Sequence, residues 1–73
     1  MTDRIVIDPK ICHGKPVIRG TRMPVVFVVG SLAGGMSREE VCREYDLTDE
    51  DITAALEFAV ARIEDEQHYP LPV

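Results

Sequence analysis

The sequence has no tryptophan, two tyrosines, two phenylalanines and two cysteines, and each shortage narrows what the chain can be. At 73 residues a chain buries only about 60% of the surface it exposes when unfolded, so the core is thin. Such cores are ordinarily supported by disulfides, a metal or a second subunit. Cys12 and Cys42 make no paired framework, and no secretory signal precedes them, so no disulfide is expected. Four ligands at zinc-like spacing are missing, since Cys12-His13 is half a site and His68 lies far away. No metal or other cofactor is expected. Self-association is the support that remains, and a homodimer is expected ahead of a monomer. The longest apolar run, Val25 to Val29, falls far short of the roughly 20 residues needed to cross a bilayer. The segment Met1 to Lys10 does not read as a signal peptide. The expected compartment is therefore the cytoplasm, with no membrane partner.

Positive charge is also short. Eight Lys and Arg stand against thirteen Asp and Glu, for a net charge of −5, which argues against nonspecific nucleic-acid binding. The distribution is uneven. Residues 1–22 hold Arg4, Lys10, Lys15, Arg19 and Arg22 against Asp3 and Asp8, a net of +3, and residues 23–73 hold three arginines against eleven acids, a net of −8. A basic head on an acidic body leaves room for a dimer that presents two basic heads to DNA.

One domain fills residues 1–73, made of a basic β/loop head (1–23), a three-helix bundle (24–63) and an extended tail (64–73). Ile5-Val6-Ile7 is β-branched and ends at Asp8-Pro9, so it reads as a strand. Val17-Ile18 is a second short apolar pair between loop-like segments, and the two strands pair within the chain or between subunits. Pro24 suits the first position of a helix, which runs from Val25 to Ala33 and stops at Gly34-Gly35. Ser37-Arg38-Glu39-Glu40 is a capping box, with Ser37 as N-cap and Glu40 reaching back. The second helix extends to about Tyr45, with Val41 and Tyr45 inward. Asp46-Leu47 turns the chain, and Thr48 caps a third helix whose first turn is acidic. Ile52, Ala55, Leu56, Ala59, Val60 and Ile63 form its apolar stripe. The fold class is mainly α: a three-helix helix-turn-helix bundle with a short N-terminal strand or hairpin.

In helix-turn-helix recognition the start of the third helix meets the base edges. Here that start is Thr48-Asp49-Glu50-Asp51, and three acids repel phosphate, so a plain trihelical core is the better reading of that helix. The segment Gly14-Lys15-Pro16-Val17-Ile18-Arg19-Gly20-Thr21-Arg22 carries the densest positive charge. Two readings stand for it. Lys15, Arg19, Thr21 and Arg22 contact phosphates or an acidic partner, or the arginines pair with acids of the second and third helices while Gly20 supplies an unusual backbone angle. Arg38 and Arg43 join the candidate contacts, while Gly14, Pro16, Gly20, Pro24, Ser37, Glu40 and Thr48 are motif positions of structural use. Catalysis finds little support. Neighbours on a strand point to opposite faces, which separates Cys12 from His13, and so small a domain struggles to enclose a ligand pocket, so no small-molecule substrate is expected. In the tail, Pro70 and Pro72 exclude helix. Tyr69 and Leu71 are candidate anchors for docking in a partner, against the reading of an ordinary frayed end.

The strings Ile7-Asp8-Pro9, Gly14-Lys15-Pro16-Val17-Ile18, Arg19-Gly20-Thr21-Arg22-Met23-Pro24-Val25, Gly35-Met36-Ser37, Glu39-Glu40-Val41 and Glu50-Asp51-Ile52 resemble the signature of domain-of-unknown-function family 433, over about residues 5 to 63. The resemblance implies a homeodomain-like helix-turn-helix fold and an antitoxin role beside a PIN-like ribonuclease toxin, with repression of its own operon by analogy. The family has no agreed set of functional residues. The motif positions Gly14 to Arg22 are carried over as a candidate contact surface by analogy.

Overall fold

A computed structural model of the protein describes residues 3–66. Two strands, β1 (Ile5–Val6) and β2 (Val17–Ile18), precede three helices, α1 (Val25–Ala33), α2 (Arg38–Tyr45) and α3 (Asp49–Asp65). The fold is mainly helical with a small antiparallel hairpin at its head. The strands pair within the chain, Ile5 opposite Ile18 and Val6 opposite Val17. Ile7 lies beyond β1 and is exposed. Two-residue strands are marginal alone, and this pair is held by its packing: Val17 and Ile18 are both fully buried.

Each helix starts where a hydrogen-bond partner meets its first amides, a distant carbonyl for α1 and local caps for α2 and α3. Pro24 sits one place earlier than the sequence pattern implies, as N-cap of α1 rather than its first residue. The reason is that the Val25 amide donates to the Pro16 carbonyl at 2.9 Å, so the loop before β2 closes the helix start. Ser37 and Glu40 form the expected capping box on α2, and Thr48 and Asp51 form a second one on α3. Asp46 ends α2 in the left-handed conformation, at φ 56°, which Asp tolerates better than most residues. The turn between α1 and α2 needs Gly35, at φ 107°.

The core gathers Ile18, Val25, Val28, Val41, Leu47, Ile52 and Ala55. It draws one or two side chains from every element except β1, which packs against its edge through Ile5. All three fully buried positions of α3, Ile52, Ala54 and Ala55, lie in its first half. The apolar stripe continues past them through half-buried Leu56 and Ala59, but Val60 and Ile63, expected inward, are exposed. The helix is simply longer than the elements it packs on. Among the described residues no helix is long and apolar enough to cross a membrane.

Candidate partner-binding surface

The segment from Gly14 to Pro24 is a tightly bonded scaffold. The Thr21 amide donates to the Ile18 carbonyl at 3.0 Å, closing a four-residue turn with Gly20 in third place at φ 80°. That position of a type II turn requires positive φ, hence glycine. The Thr21 hydroxyl donates to the Ile18 carbonyl at 2.7 Å and accepts from the Met23 amide at 3.0 Å. Thr21 thus braces the turn and is half-buried. Val17 bridges Pro24, and the Ile18 amide donates to Met23.

Ahead of β2, Cys12, His13 and Gly14 take left-handed backbone angles in succession, at φ 49°, 58° and 83°. The reading of Cys12 and His13 as strand neighbours is therefore corrected: they form a tight 3-10 turn. The Cys12 thiol donates to the Arg22 carbonyl at 3.3 Å. Its bond is to backbone, and the turn anchors the motif's two ends to each other. Consecutive left-handed non-glycine residues are costly. Here the amides of Gly14 and Lys15, donating to Ile11 and Cys12, hold them in place.

What this scaffold displays is charge. Lys15, Arg19 and Arg22 are exposed. The Arg19 amide donates to the Arg4 carbonyl and its Nε donates to the Asp3 carbonyl, which orients the side chain without neutralising it. The ion pairs between described residues that tie basic groups to α3 use other arginines. Arg4 meets Asp51 at 3.1 Å, and Arg38 meets Asp49 at 2.8 Å. Arg38 also donates to the Asp49 carbonyl and to the Thr53 hydroxyl, so this candidate contact serves to dock α2 on α3. The bond to Arg38 holds the Asp49 carboxyl below the usual carboxylate range and raises the Arg38 guanidinium in turn. Glu40 is likewise lowered, first by the Ser37 amide and then by its hydroxyl. Arg43 is exposed on α2. The Cys42 thiol is pushed up by desolvation, with Asp49 adding to it. Among the described residues no group of three or more His, Cys, Asp and Glu is placed to hold a metal ion. The tail anchors Tyr69 and Leu71 lie outside the described residues.

The sequence reading missed a groove. It is about 450 Å³, formed by Val25, Val26 and Val29 of α1 against Phe58, Ala59 and Ile63 of α3, and rimmed by Lys15, Pro16 and Arg62. Arg62 lies over the Phe58 ring at 5.0 Å, an attraction available to residues one helical turn apart. That spacing was legible in the sequence, but the groove was not, because it depends on where α1 stops covering α3.

Known proteins share this architecture. The model of a family described as a protein of unknown function, DUF433, matches residues 5–59. The crystal structure of a DUF433 member protein from Anabaena variabilis aligns at a TM-score of 0.79 and 34% identity, over 86% of this chain and 63% of that one. RV2018 from Mycobacterium tuberculosis aligns at a TM-score of 0.65 and 33% identity, over 71% of this chain and 24% of its own. An uncharacterized protein of Archaeoglobus fulgidus is 61% identical over 23 residues, which are 32% of this chain and 64% of that protein. The chain thus spans less than two thirds of the length of each of these relatives, and about a quarter of RV2018.

Proposed function

This chain belongs to DUF433, a family of unknown function, and from that premise we propose that it is a non-catalytic protein-binding module of the antitoxin kind. Its partner is a PIN-like ribonuclease toxin, met through the basic turn that carries Arg19 and Arg22. One observation carries the reading. In a chain with thirteen acids, neither of these exposed guanidinium groups pairs with a carboxylate among the described residues, while Arg4 and Arg38 take the acids at the start of α3. Cations without a carboxylate partner among the described residues, held on a hydrogen-bonded turn, are suited to an acidic site on another protein, where they would stand in place of metal or RNA contacts.

The test is calorimetric titration of the full chain with a PIN-like protein encoded beside it. Replacing Arg19 and Arg22 together by Ala is expected to weaken binding at least about tenfold, with unchanged far-UV circular dichroism. Undiminished affinity in that variant would refute the assignment of the contact.

A second reading, DNA binding through paired basic heads, is favoured by the same two ion pairs. They neutralise two of the three acids at the start of α3, which reduces the repulsion that this helix would present to phosphate. Salt separates the two readings. DNA affinity would fall linearly in log–log form with a slope set by the phosphates neutralised, whereas protein docking loses less.

A further inference from the structure

Among the described residues, the second half of α3 bears an exposed apolar ridge at Val60 and Ile63. Of the five large exposed hydrophobic residues among those described, four lie on α1 and α3: Val26 (68% exposed), Phe27 (63%), Val60 (55%) and Ile63 (61%). Val26 and Ile63 line the groove itself. Val60 stands one turn before Ile63, so the two form a ridge along the groove's lip. Small proteins seldom leave such a surface open to water.

The charges around this face are arranged in complementary pairs. The groove's rim carries Lys15 and Arg62, and no carboxylate lines it. The ridge is flanked by Glu57 and Glu64, three residues before and four after Val60, both exposed on the same side of the helix. Ridge and groove, acids and cations, therefore lie on one surface of one chain. Self-complementarity of this kind is what a two-fold interface requires, because each patch must meet its own image.

We propose that the α1–α3 groove is filled by a second copy of this chain. The two α3 helices pack antiparallel about a two-fold axis, so that the Val60–Ile63 ridge of each copy enters the groove of the other. Glu57 and Glu64 of one copy then face Lys15 and Arg62 of its mate. The thin core of the single chain gains the support that its size calls for. The basic turn at Arg19 and Arg22 stays outside the interface and is presented twice.

Sedimentation equilibrium of the full chain, from about 1 µM to about 1 mM, tests this. The mass is expected to rise from 8.2 kDa to twice that value. Ile63→Glu and, independently, Val26→Glu are each expected to raise the dimer dissociation constant about a hundredfold, as loss of a central anchor does. Both positions are exposed in the single chain, so each variant should keep its far-UV spectrum. Isotope-filtered NMR on a mixture of labelled and unlabelled wild-type chains should show contacts between Ile63 and Val26 methyls of different copies. A chain that stays monomeric at the highest concentration overturns the proposal and leaves the groove to residues 67–73 or to a foreign protein. A dimer unaffected by both variants, with no contact between copies at these methyls, overturns it as well.

Discussion

Two isoleucines of α3 should respond to the same substitution very differently. Ile52 is fully buried among Ile18, Val28, Val41 and Leu47. Truncation to Ala removes three carbons, about 2.4 kcal/mol at roughly 0.8 kcal/mol each, and the unfilled space brings the total to about 3–4 kcal/mol. A domain of 73 residues has a total stability of about 4–11 kcal/mol, so Ile52→Ala removes at least about a quarter of it and, at the lower end of that range, nearly all of it. Ile63 is 61% exposed. Its truncation leaves no cavity and forfeits at most about 1 kcal/mol of transfer, of which the better helix propensity of Ala returns about 0.4 kcal/mol. The net loss is about 0.5 kcal/mol. The assay is urea denaturation followed by circular dichroism at low micromolar chain concentration, where self-association contributes least. If Ile63→Ala cost more than about 2 kcal/mol under those conditions, well above the usual effect of a surface change, the reasoning that α3 outruns its cover would be wrong. At higher concentration the Ile63 loss should grow, because association and folding are then linked.

Gly20→Ala places a side chain at φ 80° in a site with no atom near its added carbon, so only backbone strain acts, about 1–2 kcal/mol; a melting temperature lower by about 4–8 °C per kcal/mol is expected for a domain of this size. Ser37→Ala and Thr48→Ala each open a capping box and should each cost about 1 kcal/mol, measured as a shift of the urea midpoint at constant slope. Glu40 and Asp49 have lowered folded pKa values, so the stability they contribute is present above their ordinary values of 4.5 and 3.8 and is lost as pH falls through the lower folded ones. Glu40→Gln should flatten the acid side of the curve of stability against pH, and an unchanged curve would contradict the capping geometry.

Much of this molecule was legible in the residues. Gly34-Gly35 ended a helix, Ser37 and Glu40 announced a capping box, and the acids after Thr48 marked the start of another, because caps and breakers act over three or four residues and need no distant partner. Asp51 as the return arm of the second box was equally local and was overlooked. The string from Gly14 to Arg22 carries two readings in the sequence, a charged contact segment and a structural loop, and the positive φ of Gly20 belongs to the second. Folding turns Val17 and Ile18 into the core, builds a turn from Gly20 and Thr21, and uses Pro16 to close the start of α1, while Lys15, Arg19 and Arg22 stay exposed.

Long-range pairings were settled only in three dimensions. Whether Arg19, Arg22, Arg4 or Arg38 would neutralise the acids of α3 could not be read from composition, since all are arginines in reach of an acidic body. The chain path chose Arg4 and Arg38 because β1 and α2 pass beside the start of α3. Pairing of the strands within the chain likewise depended on the loop from Ile7 to Pro16 folding back. The stripe from Ile52 to Ile63 shows the boundary most clearly. Periodicity determined that it lies on one face of one helix, because a 3.6-residue repeat is a property of the chain alone. Where that face is covered and where it lies open was decided by the lengths and crossing of α1 and α2, which no single helix encodes.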